Sequence, residues 1–180
     1  MKWFIILVAF FIAGSVQGQG QDVSCIGQPE YYENGNLEFC TLSHEDTLSG
    51  QPIPAGTGVH FTEDGVFDWC FLQQDTKIQG HLCRGKGHNF MTGFHPNGQL
   101  RTAWLAENEV VQGIPCAKFR FLSAVFAGIH GKPGQTSFHE NGQLMYCELS
   151  ESMIIQGKSY MKGDAVRFNP DGRLVDAPGG

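Results

Sequence analysis

One phrase recurs five times along this chain, an aromatic residue followed three positions later by Asn-Gly or Asp-Gly. The copies are Tyr31-Tyr-Glu-Asn-Gly, Phe61-Thr-Glu-Asp-Gly, Phe94-His-Pro-Asn-Gly, Phe138-His-Glu-Asn-Gly and Phe168-Asn-Pro-Asp-Gly. A turn-forming dipeptide between apolar, alternating flanks is the strongest short-range hairpin signal, and its repetition sets the architecture. The five starts, at 31, 61, 94, 138 and 168, lie 30, 33, 44 and 30 residues apart, so the basic unit is about thirty residues and two units carry insertions.

Counted from the aromatic residue as position zero, further columns align. Position +6 is Leu37, Phe67, Leu100, Leu144 and Leu174, and position +11 is Leu42, Leu72, Leu105 and Leu149. Position +17 is Leu48, Ile78, Val111 and Ile155, and position +19 is Gly50, Gly80, Gly113 and Gly157. Pro96 and Pro170 precede Asn97 and Asp171, where a fixed φ suits the first central position of a type I turn. The glycines Gly35, Gly65, Gly98, Gly142 and Gly172 then take the left-handed position of a bulged three-residue hairpin loop. That register sets position zero opposite +6 and Val59 opposite Trp69. It sends the +9 and +11 columns to the other face, so that both faces are apolar. The remainder of each unit, as in Thr76-Lys-Ile-Gln-Gly, reads as a short third strand ended by glycine. The fold class is therefore all-β: repetitive antiparallel hairpins stacked into an elongated sheet or solenoid, because one unit cannot bury such a face alone.

Residues 1–18 read as a secretory signal peptide, with Lys2 ahead of an apolar run from Trp3 to Ala13. A lead-in follows over 19–30, a single repeat domain over 31–175 with an insertion at about 117–133, and a flexible tail over 176–180. No later stretch approaches the roughly twenty apolar residues of a spanning helix, so no transmembrane segment is expected. The formal net charge is −6 with dispersed Lys and Arg, which argues against a nucleic-acid partner. The expected location is the periplasm or the exterior.

Six cysteines in an exported chain form a candidate disulfide set: Cys25, Cys40, Cys70, Cys83, Cys116 and Cys147. Cys40, Cys70 and Cys147 share position +9; Cys83 and Cys116 share +22. Pairing columns across successive units gives Cys25–Cys40 and Cys116–Cys147 and leaves Cys70–Cys83, while the alternative is that cysteine is simply a small buried apolar residue in a recurring column. No close Cys/His cluster supports a metal, and no cofactor is expected.

At Tyr32-Glu-Asn-Gly-Asn-Leu, Phe94-His-Pro-Asn-Gly-Gln-Leu and Phe138-His-Glu-Asn-Gly-Gln-Leu the chain resembles the MORN-variant repeats of many bacterial proteins, including those labelled as YwqK-type antitoxins. The resemblance covers the hairpin of each unit. It implies stacked β-hairpins without catalytic residues and a binding or scaffolding role; the antitoxin label, which implies a cytoplasmic partner, does not carry over to an exported chain.

No catalytic constellation stands out. His95 and His139 share one repeat position and need only a cross-strand role, and Gly85-Lys-Gly87 lacks the strand-to-helix context of a phosphate loop and reads as a turn. The insertion, apolar from Phe119 to Ile129, is either an extra element covering a sheet edge or a patch for a partner. Trp69, Trp104, Phe121 and Phe126 are the candidate partner surface, the two tryptophans serving a sugar or plain cross-strand packing. The expectation is a non-enzymatic binding or structural module of the cell envelope or exterior, with an unknown protein or polysaccharide partner. The alternative is an envelope hydrolase acting on carbohydrate.

Overall fold

The computed structural model describes residues 23–86, 89–120 and 134–175. The expected signal peptide, Phe121, Phe126 and the tail 176–180 lie outside the described residues. Within them the chain is all-β, with seventeen antiparallel strands and no helix.

Nine strands form one sheet, in the order β1 (Cys25–Tyr31), β2 (Leu37–Leu42), β5 (Gly58–Phe61), β6 (Phe67–Phe71), β9 (Met91–Phe94), β10 (Leu100–Trp104), β13 (Gln135–Phe138), β14 (Leu144–Glu148) and β17 (Ala165–Arg167). The other eight make four separate hairpins: β3–β4 (Asp46–Leu48, Gln51–Ile53), β7–β8 (Thr76–Ile78, His81–Cys83), β11–β12 (Glu109–Val111, Ile114–Cys116) and β15–β16 (Met153–Ile155, Lys158–Tyr160). Leu48, Ile53, Ile78, Val111 and Ile155 of these small hairpins share one buried cluster with Phe61, Phe67, Phe94, Leu100, Phe138 and Leu144 of the sheet. The core therefore lies between the sheet and a layer of small hairpins. Each fully buried Phe or Leu in it contributes roughly 1.5–3 kcal/mol relative to exposure.

The main turns follow the phrase. The backbone N–H groups of Gly35, Gly65, Gly98, Gly142 and Gly172 each donate to the carbonyl three residues back, and these glycines have φ from +74 to +85°. The Asn or Asp before them is not left-handed, which is the type I geometry that Pro96 and Pro170 favour.

Two expectations about the strands are corrected. Position zero does face +6, with Phe61 opposite Phe67, Phe94 opposite Leu100 and Phe138 opposite Leu144. One residue beyond, however, each of the first four hairpins is bulged at +7, the place of Glu38, Asp68, Arg101 and Met145. The extra residue slips the register, so Trp69 faces His60 and Val59 faces Cys70. It also re-phases the strand: +6, +9 and +11 (Phe67, Cys70 and Leu72) are all buried on one face rather than split between two.

The second correction is that the end of each unit is a two-stranded hairpin and not a single strand. Its loop has two left-handed residues, Ser49-Gly50, Gln79-Gly80, Gln112-Gly113 and Gln156-Gly157, as a type I′ turn requires. A glutamine at φ near +50° is strained, and a clamp onto the next unit offsets this. The Gln79 amide donates to the Gly98 carbonyl at 2.8 Å and accepts from Leu100 N at 2.9 Å. Gln112 holds Gly142 and Leu144 in the same way, and Gln156 holds Gly172 and Leu174.

The main turns are tied to one another as well. Tyr32 Oη donates to the Phe61 carbonyl at 2.9 Å, and the Nε2 atoms of His95 and His139 donate to Phe138 and Phe168 carbonyls at 2.9 and 2.8 Å. Asn34, Asn97 and Asn141 donate to the carbonyls of Glu63, Glu140 and Pro170. Both histidines thus spend a ring nitrogen on the next hairpin.

Cys25–Cys40 and Cys116–Cys147 are disulfides, with Cα atoms 5.8 and 5.7 Å apart. The third expected bond is absent: Cys70 and Cys83 are buried free thiols. The reason is the repeat itself, since the Cys116–Cys147 bond joins +22 of one unit to +9 of the next, whereas Cys70 and Cys83 are +9 and +22 of the same unit. Burial pushes the Cys70 thiol up, and burial with the nearby Glu109 charge pushes Cys83 up to about 12, which disfavours the thiolate at both.

Candidate interaction surface

The bulge at +7 decides what the outer face carries. With +6, +9 and +11 turned inward, +8 and +10 point away from the small hairpins, and one cross-strand row runs the width of the sheet. It reads Glu30, Phe39, His60, Trp69, Gly93, Thr102, Ser137, Tyr146 and Arg167, each opposite the next. The neighbouring row brings Gly58 opposite Phe71 and Phe71 opposite Met91, and Trp104 opposite Gln135.

Two aromatic groups stand on this face. In the first, His60 stacks on Trp69 with centroids 4.5 Å apart and planes 8° from parallel, and Phe39 and Phe71 lie 5.8 and 5.0 Å from the Trp69 ring. Gly58 makes room, since a Cβ there would lie 2.9 Å from the Phe39 ring. The second group joins the two units that carry insertions: Phe90, Trp104 and Phe119 meet at 4.9–5.8 Å, mostly edge to face. The Arg84 guanidinium lies over Phe90 at 4.9 Å and Phe119 at 5.4 Å. Such cation–π contacts are worth roughly 0.5–2 kcal/mol each. Trp69 and Trp104 are half-buried in these groups and not freely exposed.

Polar groups are threaded between the rings. The bulge residues of the second and third units pair, Arg101 Nη2 donating to Asp68 Oδ1 at 3.0 Å, and His60 Nδ1 lies 3.5 Å from the other Asp68 oxygen. The Tyr32 hydroxyl is 3.4 Å from His60 Nε2. Desolvation, then Glu38, Glu63 and Asp68, push the Tyr32 phenol up, which suits a hydrogen-bond donor and not a nucleophile. Gln135 bonds both Thr102 and Ser137, filling the middle of the row.

The remaining sequence candidates fall elsewhere. Gly85 lies where the backbone of Gln74 passes, 2.2 Å from where a Cβ would sit, and its N–H donates to Asp75, so it serves close packing and not a phosphate. A cleft of about 220 Å³ beside Thr62 and Phe94 has two carboxylates, Asp64 and Asp68, on its wall, the residue type a glycoside hydrolase uses, but Asp68 is engaged by Arg101. Among the described residues no group of three His, Cys, Asp or Glu could hold a metal, and no helix is long and apolar enough to cross a membrane. Sequence reasoning missed Phe39, His60, Phe90 and Arg84, because the bulge that gathers the first two and the insertion that delivers the others leave no periodic mark.

The geometry can stack flat apolar surfaces and hydrogen-bond at their margins. In comparison with known proteins, no family model, no curated protein and no solved structure matches this chain.

Proposed function

We propose that the chain is an exported, non-enzymatic binding module of the cell envelope or exterior, built of MORN-variant-like hairpins, whose outer sheet face engages a protein or polysaccharide. The observation that carries this reading is the placement of the rings. The core is filled from the other face, yet Phe39, Trp69 and Phe71, and then Phe90, Trp104 and Phe119, are gathered on the face that the small hairpins do not cover. Half-exposed aromatic clusters with polar margins are the usual anchors of interfaces and glycan platforms. Two disulfides fit an oxidising compartment.

Co-sedimentation with insoluble glycans and binding to surface-layer proteins, each measured for the native chain and for Trp69→Ala and Trp104→Ala, tests the reading. Retention should fall at least tenfold in both variants without loss of folding. Unchanged retention, or turnover of a glycan that a single Asp64→Asn or Asp68→Asn change abolishes, would replace the binding module with the hydrolase.

A further inference from the structure

Away from the outer face, the hairpin turns of the main sheet and those of the small hairpins border a groove that the repeat builds twice. One copy, of about 300 Å³, lies between the small hairpin of the fourth unit and the turns beside it, and its wall includes Gln112, Ile114, Gln143, Met153 and Gln156. The other, of about 320 Å³, is the same place one unit earlier, with Gln79, His81, Gln99 and Gln112 on its wall and Gln51 added. The structural glutamines at +18 recur in both. What changes is the pair at +20 and +15: His81 and Glu109 in one groove, Ile114 and Met153 in the other.

Repeat equivalence separates what the fold needs from what it does not. The other groove has Ile and Met at these places and Pro115 where this one has Leu82, so Glu109 has a structural task in accepting the Leu82 N–H while the architecture does not require the His81 ring. Yet the pair is closely made. Nδ1 of His81 lies 2.9 Å from Glu109 Oε2, and the other Glu109 oxygen accepts the Leu82 N–H. A carboxylate accepts only, so Nδ1 carries the proton and Nε2 is left as the ring's remaining hydrogen-bonding atom. No described residue bonds Nε2. The ring is braced further by Phe138, 4.9 Å away, so its orientation is fixed before any ligand arrives.

We propose that this groove binds an uncharged polyhydroxyl ligand, a sugar residue, through His81 and the side-chain amides of Gln51 and Gln99. Three features argue for that class. Apart from Glu109, whose two oxygens are taken by His81 and the Leu82 N–H, no charged side chain borders the groove, so a charged ligand would find no free counter-charge there. Amide and imidazole groups both donate and accept, which matches vicinal hydroxyls. The apolar wall residues Leu100 and Phe138 are almost fully buried, which leaves little surface for an apolar guest. The groove's volume is at the small end of ligand sites, enough for about one ring. The site is independent of the outer face.

The test is NMR titration of the full chain with glucose and N-acetylglucosamine, with glucuronate and glucosamine as charged counterparts. Saturable shifts of the Gln51 and Gln99 side-chain amides and the His81 ring are expected with the neutral sugars, and weaker ones with the charged pair. His81→Ile installs the residue the neighbouring groove uses at +20 and leaves Glu109 its bond to the Leu82 N–H; it should fold with a modestly lowered melt and weaken binding about tenfold, as loss of one oriented hydrogen bond predicts. Gln99→Ala, at an exposed position, should weaken it several-fold. No saturable shift with either neutral sugar, equal affinity in His81→Ile and Gln99→Ala, or preference for a charged sugar would overturn the proposal.

Discussion

The junction between the second and third units and the junction between the third and fourth have the same backbone and different chemistry. Cys83 bridges Leu105 as Cys116 bridges Leu149. Arg84 N donates to the Trp104 carbonyl as Ala117 N donates to Glu148, and Ala106 N to Leu82 as Ser150 N to Pro115. At the later junction +22 and the next +9 are Cys116 and Cys147, joined; at the earlier they are Cys83 and Ala103, which cannot be. The joined pair closes the base of the longest insertion, 117–133. A long insertion enlarges the entropy lost on folding, and a covalent link across its base limits that loss. The earlier insertion is short and needs no such link.

The comparison can be broken at its strongest point first. Replacing Cys116 and Cys147 by Ala should cost about 3–4 kcal/mol, for a bond that closes 31 residues, seen as a lower denaturant midpoint. The converse is Ala103→Cys. If the two junctions share their geometry, a third disulfide forms with Cys83 and adds roughly 3 kcal/mol; non-reducing peptide mapping that still finds Cys83 free would show the backbones to be less alike than their hydrogen bonds. Next comes the clamp that both junctions share. Gln79→Ala and Gln112→Ala each strand a buried Leu amide and should each cost about 1–2 kcal/mol, equally at the two sites, by thermal melts. The smallest effect concerns Glu148, whose counterpart is Trp104. Burial raises its carboxyl, against the Gly134 amide and Arg120, which lower it. A raised folded-state value means its contribution is present at acid pH and lost as pH rises through that value. Glu148→Gln should therefore raise the melting temperature slightly at pH 7 and not at pH 3.

How much of this was readable in advance depends on whether a feature recurs in residue type. The main hairpins were, because Asn-Gly and Asp-Gly are tied to one backbone conformation. Cys116–Cys147 was, because both cysteines sit in columns. The bulge was not, since its four residues, Glu38, Asp68, Arg101 and Met145, share no chemistry; the slip comes from backbone pairing alone. The small hairpins were half visible. Glycine at +19 marked a stop, but a glutamine in the left-handed region before it is stabilised by a clamp that only the folded array reveals. Trp69 stood out as an aromatic, but not its stacking on His60, which depends on the slipped register. His81 and Glu109 lie 28 residues apart in different units and meet only through stacking.

The units also act as a ruler. Each adds two strands to the sheet, about 9–10 Å of width at ordinary strand spacing, and brings its own small hairpin. Because the turn-to-turn bonds and the glutamine clamp join a unit to its successor, duplicating or losing one internal unit would change the span of the molecule in whole steps. The two end strands would stay as they are, so the reach of the outer face could alter between related chains without redesign of either edge.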